Sequence, residues 1–259
     1  LRYSSENQEL EGVDEAVKIA RETGVRLHID HLHSTGGTFH MADALSKIRA
    51  ANASGQRITC CVYPYSFWAT YLHSKRFDPS WRKRYGLDYN DLRLVGTGER
   101  LTAASFEKYR KEMRLVAVPV GTMPMDKTID LALKENFCMV GSDGGIEYEP
   151  RANSHPRGAG CFATAVRHGL DIGMKTEDIL AKITSMTAAL ISPAMKGRGT
   201  MANGSIADLV IFDPKTINGK ASVENPNQFS AGISMVFVNG KVAYRNGVLG
   251  EAAGRPIRY

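Results

Sequence analysis

Strand-like apolar segments alternate with helix-like segments along the first two thirds of the chain, and this alternation most constrains the fold. Apolar residues recur at helical spacing over 8–22, and a short β-rich run follows at 24–31. A second helix pattern over 39–53 precedes the strand-like run 57–65. Because strands joined through helices of this length are typical of parallel α/β units, we predict a parallel α/β fold.

The alternation is interrupted once and then returns. Residues 66–114 hold both tryptophans and many charges, with one helix pattern from Thr102 to Met113. Because this stretch is too long for an ordinary connecting loop, we predict an excursion over a binding face. Thr176 is expected to cap the last helix of the region. The later strands and helices are predicted at 115–121, 126–135, 137–145, 159–170 and 176–191.

Near residue 197 the pattern changes to short alternating strands. The turn dipeptides NG and GK separate several of these strands, as in β-hairpins. We therefore predict a small antiparallel β domain over 197–259, after an α/β domain over 1–196.

Composition excludes several classes of protein. The net charge of +6 over 259 residues is modest, and its basic residues concentrate at 75–84 without an aromatic-basic repeat. We expect no nucleic-acid partner; an anionic small substrate or a solvated surface explains the excess charge equally well. No apolar run approaches the roughly 18 residues of a membrane span. The four cysteines form no CxxC pair, so we expect buried, reduced thiols in a cytoplasmic protein.

Histidines cluster at the end of the first strand, in HIDHLH (28–33). Strand alternation would put His31 and His33 on one face, toward the carboxyl end of the strand. Active sites of parallel barrels lie at that end, and neutral imidazole is a common metal ligand. The alternative is a pair of hydrogen-bonded histidines without a metal.

Polar residues follow two other strands. The segment VGSDGG (140–145) places Asp143 at the end of a buried strand. Asp143 is there either a carboxylate that takes part in chemistry or the cap of a structural turn. Arg157 in HPRGAG has the planar fork that suits a carboxylate, unless it is an exposed loop residue. Tyr63 in YPY ends the other strand, where packing is the more common role.

These segments match, in order and over nearly the whole chain, short motifs of one enzyme family. The matching segments are LRY (1–3), GVRLHIDHLH (24–33), VYPY (62–65), VGSDG (140–144), HPR (155–157), KITSMTAAL (182–190), GSIADLVIFDP (204–214), AGI (231–233) and VFVNG (236–240). Together they resemble the second half of the D-aminoacylase, or N-acyl-D-amino-acid deacylase, family of the amidohydrolase superfamily.

The resemblance implies a fold and a set of roles. The fold would be the C-terminal part of a (β/α)8 TIM-type barrel with a flanking β-sandwich, and 66–114 would be a lid-like insertion. His31 would be a zinc ligand, and Asp143 the general base and acid that activates the metal-bound water. Arg157 would hold a substrate carboxylate, and Tyr63 would contact the scissile amide or the acid.

Two positions depart from the family pattern. His33 stands where many members have Lys, and Ala69 where the better-known members have Ser. Because both family residues help to grip the substrate carboxylate, the departures affect the expected substrate rather than the hydrolytic chemistry. Trp68, beside Ala69, is expected to reshape the pocket, and His33 to face the same pocket.

The resemblance also implies a preceding half. The family's HxH pair, its bridging Cys or Glu, and a histidine directly before Leu1 would supply the remaining ligands for one or two zinc ions. We expect that half as part of the same gene product or as a separate chain, and leave homo-oligomerisation open.

The expected reaction is metal-dependent hydrolysis of a linear amide that carries a carboxylate. One alternative is a cyclic amidase of the hydantoinase or dihydroorotase kind, with the same metal and aspartate. Another is a non-catalytic subunit that supports a partner chain.

Overall fold

The computed structural model describes residues 1, 5–118, 123–145 and 155–258. These residues form two compact units. The first comprises Leu1–Ala159 and Ala221–Gln228, and the second Gly160–Lys220 and Phe229–Tyr259. The predicted division at 196/197 lies inside the second unit and stays a prediction. Within the described ranges, no helix combines the length and apolarity that a membrane crossing needs.

Helices and strands alternate in the first unit, as the sequence pattern predicted. Its elements are α1 (Glu9–Thr23), β1 (Leu27–Ile29), α2 (Met41–Ala53), β2 (Ile58–Val62), β3 (Trp68–Tyr71), α3 (Trp81–Tyr85), β4 (Arg93–Leu94), α4 (Ala103–Lys111), β5 (Leu115–Val118), α5 (Ile129–Leu133) and β6 (Cys138–Val140). The second unit contains α6 (Cys161–Asp171), α7 (Thr176–Ile183), α8 (Ser185–Leu190), β7 (Leu209–Phe212), β8 (Ile233–Val238), β9 (Lys241–Arg245) and β10 (Val248–Leu249).

A three-stranded parallel sheet lies at the centre of the first unit. Its order is β1-β2-β6, and both strand pairs are parallel. Ile58, Cys60 and Val62 of β2 are almost fully buried, and helices α2 and α5 contact this strand. The predicted parallel α/β arrangement is confirmed for these strands. All four cysteines are buried, as expected.

The strand predicted over 115–121 has a different partner from the one expected. Residues 119–121 lie outside the described part of the chain. The described part, β5, pairs antiparallel with β3 and β4 in a separate sheet of order β3-β5-β4. Placing this strand in the parallel alternation was therefore wrong. An apolar run buried on both faces gives the same pattern in either kind of sheet.

The excursion builds an aromatic core of its own. Trp81 stacks on Phe106 at 5.5 Å between ring centroids, and Phe77 meets Trp81 edge-on at 5.3 Å. Helix α4 begins where predicted, because Thr102 and Ser105 cap each other's backbone N–H groups. Residues 66–114, together with strand β5, thus form a small packed element rather than an irregular loop.

The second unit contains an antiparallel sheet of order β10-β9-β8-β7, as its turn dipeptides predicted. The helix predicted over 176–191 is broken at Thr184, whose φ and ψ are −133° and −88°. The Thr184 hydroxyl donates to the Leu180 carbonyl at 2.7 Å, a local bond that competes with helix continuation. The expected cap at Thr176 is also wrong, because Lys175 occupies the N-cap position without a side-chain bond.

A buried carboxylate on α1 is hydrogen-bonded to the segment that precedes α2. Glu9 is 0% exposed, and its oxygens accept hydrogen bonds from the backbone N–H groups of Thr38, Phe39 and His40 at 2.6–2.9 Å. The Nδ1 atom of His40 lies 3.0 Å from the same carboxylate. Three backbone donors thus satisfy the oxygens of a carboxyl group that burial would otherwise penalise.

We predict that Glu9→Gln destabilises the first unit by about 1–3 kcal/mol, because the amide would turn an NH2 group toward backbone donors. Urea unfolding followed by tryptophan fluorescence measures the free energy of unfolding, since Trp68 and Trp81 both lie in this unit. Glu11→Gln, at an exposed position of the same helix, should change it by a few tenths of a kcal/mol at most. Equal effects of the two substitutions would contradict this role for Glu9.

Candidate active site

Two predicted site residues meet at one edge of the parallel sheet. His31 follows β1, and Asp143 follows β6. Because β1 and β6 both run parallel to β2, their carboxyl ends lie at the same edge. A cavity of about 180 Å³ lies there, and its walls include His31, Asp143, Tyr63, Trp68 and Arg76.

His31 reaches the cavity from a turn, not from the strand. The strand ends at Ile29, and His31 has a φ of 39°, in the left-handed region. The argument that strand alternation puts His31 and His33 on one face is therefore wrong. The Nδ1 atom of His31 lies 3.1 Å from the Ser34 hydroxyl and 3.2 Å from that of Thr35. Hydroxyl partners at Nδ1 leave Nε2 as the nitrogen for a ligand.

Asp143 is exposed and sits on a sharp turn. Its φ of 45° lies in the left-handed region, which Asp tolerates better than most residues. A Cβ on the next residue, Gly144, would lie 2.9 Å from the backbone nitrogen of Gly158. The glycine thus lets the loop of Arg157 approach the strand end closely.

Arg157 lies beneath this turn and is 0% exposed. Its Nε donates to the Ser142 carbonyl at 3.0 Å, and its Nη2 to the Asp143 carbonyl at 2.8 Å and to Asp143 Oδ2 at 2.9 Å. We expected this arginine to face the substrate. In the structure it is instead hydrogen-bonded to Asp143. Its Nη1 has no hydrogen-bond partner among the described residues.

His33 and Tyr63 pack against each other beside Arg157. Both are 0% exposed, and their rings meet edge-on with centroids 4.0 Å apart. The guanidinium carbon of Arg157 lies 4.0 Å from the Tyr63 ring centroid. The pKa of His33 lies well below its ordinary value. Burial is the main cause, and the charge of Arg157 and then that of His31 lower it further. Burial also raises the pKa of Tyr63.

The structure brings Tyr63 but not His33 into the cavity wall. Tyr63 lines the cavity with His31 and Asp143, whereas His33 is not among its lining residues. Neither ring nitrogen of His33 has a hydrogen-bond partner in the described part of the chain. His33 is therefore a buried neutral group behind the site, not a residue that faces it.

The excursion contributes Trp68 and Arg76 to the cavity. Trp68 stacks on Phe77 at 6.2 Å, and the Arg76 guanidinium lies 5.2 Å from the Trp68 ring centroid. Arg76 forms no ion pair with any described residue. Sequence reasoning missed Arg76; the only signal was its membership of the basic stretch 75–84.

Comparison with known proteins finds similar sequences and similar solved structures. No family model matches it. A D-aminoacylase of Alcaligenes xylosoxydans xylosoxydans is 31% identical over 254 residues, which cover 95% of this chain and 51% of that protein. The chain is related to the D-aminoacylases. It spans about half the length of the curated relatives it matches.

Solved structures agree with this relationship. A D-aminoacylase crystal structure, described as defining a novel subset of amidohydrolases, superposes with a TM-score of 0.77 at 26% identity, covering 100% of this chain and 55% of that chain. An N-acyl-D-glutamate deacylase from Bordetella bronchiseptica, complexed with zinc and a phosphonate inhibitor, has a TM-score of 0.75 at 24% identity, covering 99% and 54%. The chain thus shares its fold with about half of each of these two proteins.

His155, two residues before Arg157, makes the stability of the folded chain depend on pH. The pKa of His155 is lowered from 6.5 to about 3, mainly by burial and further by the charge of Arg157. The unfolded chain takes up this proton below pH 6.5, whereas the folded chain does not until about pH 3. Stability is therefore full above pH 6.5 and falls as the pH drops from 6.5 toward 3.

We predict that His155 alone costs about 2 kcal/mol of stability between pH 7 and pH 5. The measurement is urea unfolding at both pH values, followed by tryptophan fluorescence. His155→Gln should shrink the pH-dependent difference by about that amount, whereas His73→Gln, at an exposed position, should leave it unchanged. An unaltered pH difference in His155→Gln would disprove the assignment.

Proposed function

We propose that this chain carries the His31–Asp143 part of the active site of a metal-dependent hydrolase that deacylates N-acyl-D-amino acids. The observation that carries the proposal is the meeting of an imidazole and a carboxylate in one cavity, at the shared end of two parallel strands. The relationship to a D-aminoacylase supports the substrate class. The presence of both groups favours an enzyme over a non-catalytic subunit.

The parallel sheet would be part of a (β/α)8 barrel, and the antiparallel strands of the second unit part of a β-sandwich. Likeness in fold to complete amidohydrolases supports both statements. Further metal ligands would come from another segment of the same gene product or from a separate chain, since His31 and Asp143 alone offer too few ligands for a zinc ion.

The residues present are suited to a zinc ion. Ser34 and Thr35 engage Nδ1 of His31, so Nε2 is the nitrogen that would hold the metal. Imidazole and carboxylate are both zinc ligands, and a relative of the same fold contains zinc. When bound, zinc would polarise the amide carbonyl and lower the pKa of the attacking water.

Asp143 would move the proton. Arg157 holds Oδ2 of the carboxylate and the Asp143 carbonyl, so Oδ1 remains to accept a proton. Asp143 would take that proton from the attacking water and pass it to the leaving nitrogen. Arg157, which is buried and does not line the cavity, would thus act as a positioning residue for this carboxylate.

The substrate carboxylate would be held chiefly by Arg76. The cavity contains this cation without an acidic partner among the described residues, beside Tyr63 and Trp68. Ala69 in the same wall offers no polar group, and His33 is buried behind it. Arg76 would therefore supply the grip that Lys and Ser give in other members of the family, and Tyr63 would contact the amide or the acid.

We predict that Asp143→Asn lowers turnover of an N-acetyl-D-amino acid by roughly 10²–10⁴-fold, because the amide keeps the shape but cannot take the proton. The rate is measured in the purified, zinc-loaded enzyme, with the melting temperature as a check on folding. Asp43→Asn, at an exposed position of α2, should leave the rate within about twofold. If Asp143 only caps the turn, Asn will do nearly as well, and activity will stay within a few-fold.

We also predict that Arg76→Gln raises KM by about 10–100-fold, the worth of one hydrogen bond to a charged group, with a much smaller change in kcat. The same substitution should not affect a substrate whose carboxylate is replaced by a carboxamide. Lys83→Gln, at an exposed position of the excursion, is the matched control. An equal loss on the acid and on the carboxamide would show that Arg76 does not bind the carboxylate.

A further inference from the structure

Three side chains of metal-ligating type gather next to the cavity without lining it. His28 and Asp30 come from β1 and the residue after it, and Cys61 comes from the neighbouring strand β2. Their ligand atoms all lie within 4.8 Å of one another. The His28 Nε2 to Asp30 Oδ1 distance is 3.5 Å, and the Cys61 Sγ to Asp30 Oδ1 distance is 3.6 Å.

These separations are close to those around a tetrahedral ion. Zinc bonds of about 2.0–2.1 Å to nitrogen and oxygen and about 2.3 Å to sulfur, at tetrahedral angles, place ligand atoms roughly 3.3–3.6 Å apart. The two distances from Asp30 Oδ1 are within this range or at its upper limit. The three ligand atoms are therefore close enough together to surround one small ion.

His28 is already oriented as a metal ligand. The Thr59 hydroxyl donates to the Leu27 carbonyl at 3.4 Å, so its oxygen can accept the Nδ1–H of His28 at 2.8 Å. This tautomer leaves the Nε2 lone pair directed toward Asp30, and a hydrogen bond at the other ring nitrogen is typical of metal-bound histidine. Burial lowers the pKa of His28, which favours the neutral ring over a simple ion pair with Asp30.

Cys61 would determine which metal ions the cluster favours. Its side chain is 7% exposed, and its sulfur accepts the backbone N–H of His31 at 3.3 Å. Thiolate and imidazole ligands favour zinc and similar transition metals over magnesium and calcium, which prefer oxygen. The neighbouring Cys60 is also buried but belongs to the opposite face of the strand, because side chains alternate.

We propose that His28 Nε2, the Asp30 carboxylate and Cys61 Sγ form a second metal site, which takes a zinc-class divalent cation. Binding breaks the S–H bond of Cys61 and forms a sulfur–metal bond, and the proton leaves to solvent. Three protein ligands leave the fourth tetrahedral position to water. Because the same sulfur accepts the N–H of His31, an ion here would also hold the turn that presents His31.

The test is a titration of the purified protein with Co²⁺, which reports a bound thiolate through its sulfur-to-cobalt charge-transfer absorption in the near ultraviolet. We expect this absorption in the wild type, a lower absorption in Cys61→Ser, and the wild-type absorption in Cys60→Ser, the matched control. No thiolate absorption in the wild type, or an undiminished absorption in Cys61→Ser, would overturn the proposal.

Two further variants keep the test valid if Cys61→Ser fails to fold. Asp30 is 75% exposed, so Asp30→Asn should fold and bind Co²⁺ more weakly. Thr59→Val should weaken binding by about 10–100-fold, and Thr59→Ser should restore it. Unchanged affinity in both Asp30→Asn and Thr59→Val would also overturn the site.

The outcome is independent of the hydrolase assigned above. Asp143→Asn should lose turnover and keep the cobalt absorption, whereas Asp30→Asn should weaken the absorption. If the protein shows no deacylase activity but Cys61→Ser lowers the absorption, the second site stands and the proposed function does not.

Discussion

The buried guanidinium of Arg157 is the constraint on which the candidate site depends. A fully buried cation is costly unless its donors find acceptors, and here two carbonyls and one carboxylate oxygen at the end of β6 supply them. Reaching those acceptors requires the left-handed turn at Asp143 and the close approach over Gly144. The position of the Asp143 carboxylate, the proposed proton carrier, is thus a consequence of the acceptors that Arg157 requires.

Much of the site follows from local sequence patterns. A short apolar run that ends in an aspartate and two glycines predicts a buried strand with a carboxylate at its end, and β6 with Asp143 has that form. The alternation of helices and strands likewise predicts that β1 and β6 end at one edge of a parallel sheet, where His31 and Asp143 meet. Such predictions succeed because periodicity and turn residues act over a few neighbouring positions.

Other features depend on partners far along the chain, and the sequence pattern does not specify them. The apolar run of β5 is compatible with either a parallel or an antiparallel sheet. Its antiparallel pairing goes with the packing of β5 against the aromatic core of the excursion. His33 is buried because Tyr63 and Arg157 converge on it, although strand alternation predicts that it faces the site. Arg76 carries no signal except its charge, because its role depends on the path of the excursion.

The division of labour between the two sheets has a consequence for how substrate preference can change. His31 and Asp143 extend from the parallel sheet, whose strands pack against helices on a buried face, so small changes there disturb the core. Trp68 and Arg76 belong to the excursion, which packs around its own aromatic cluster. Substitutions at these two positions alter the shape and charge of the cavity without touching the strands that hold His31 and Asp143. In the proposed enzyme, the contacts to the substrate can therefore change while the proposed hydrolytic pair stays in place.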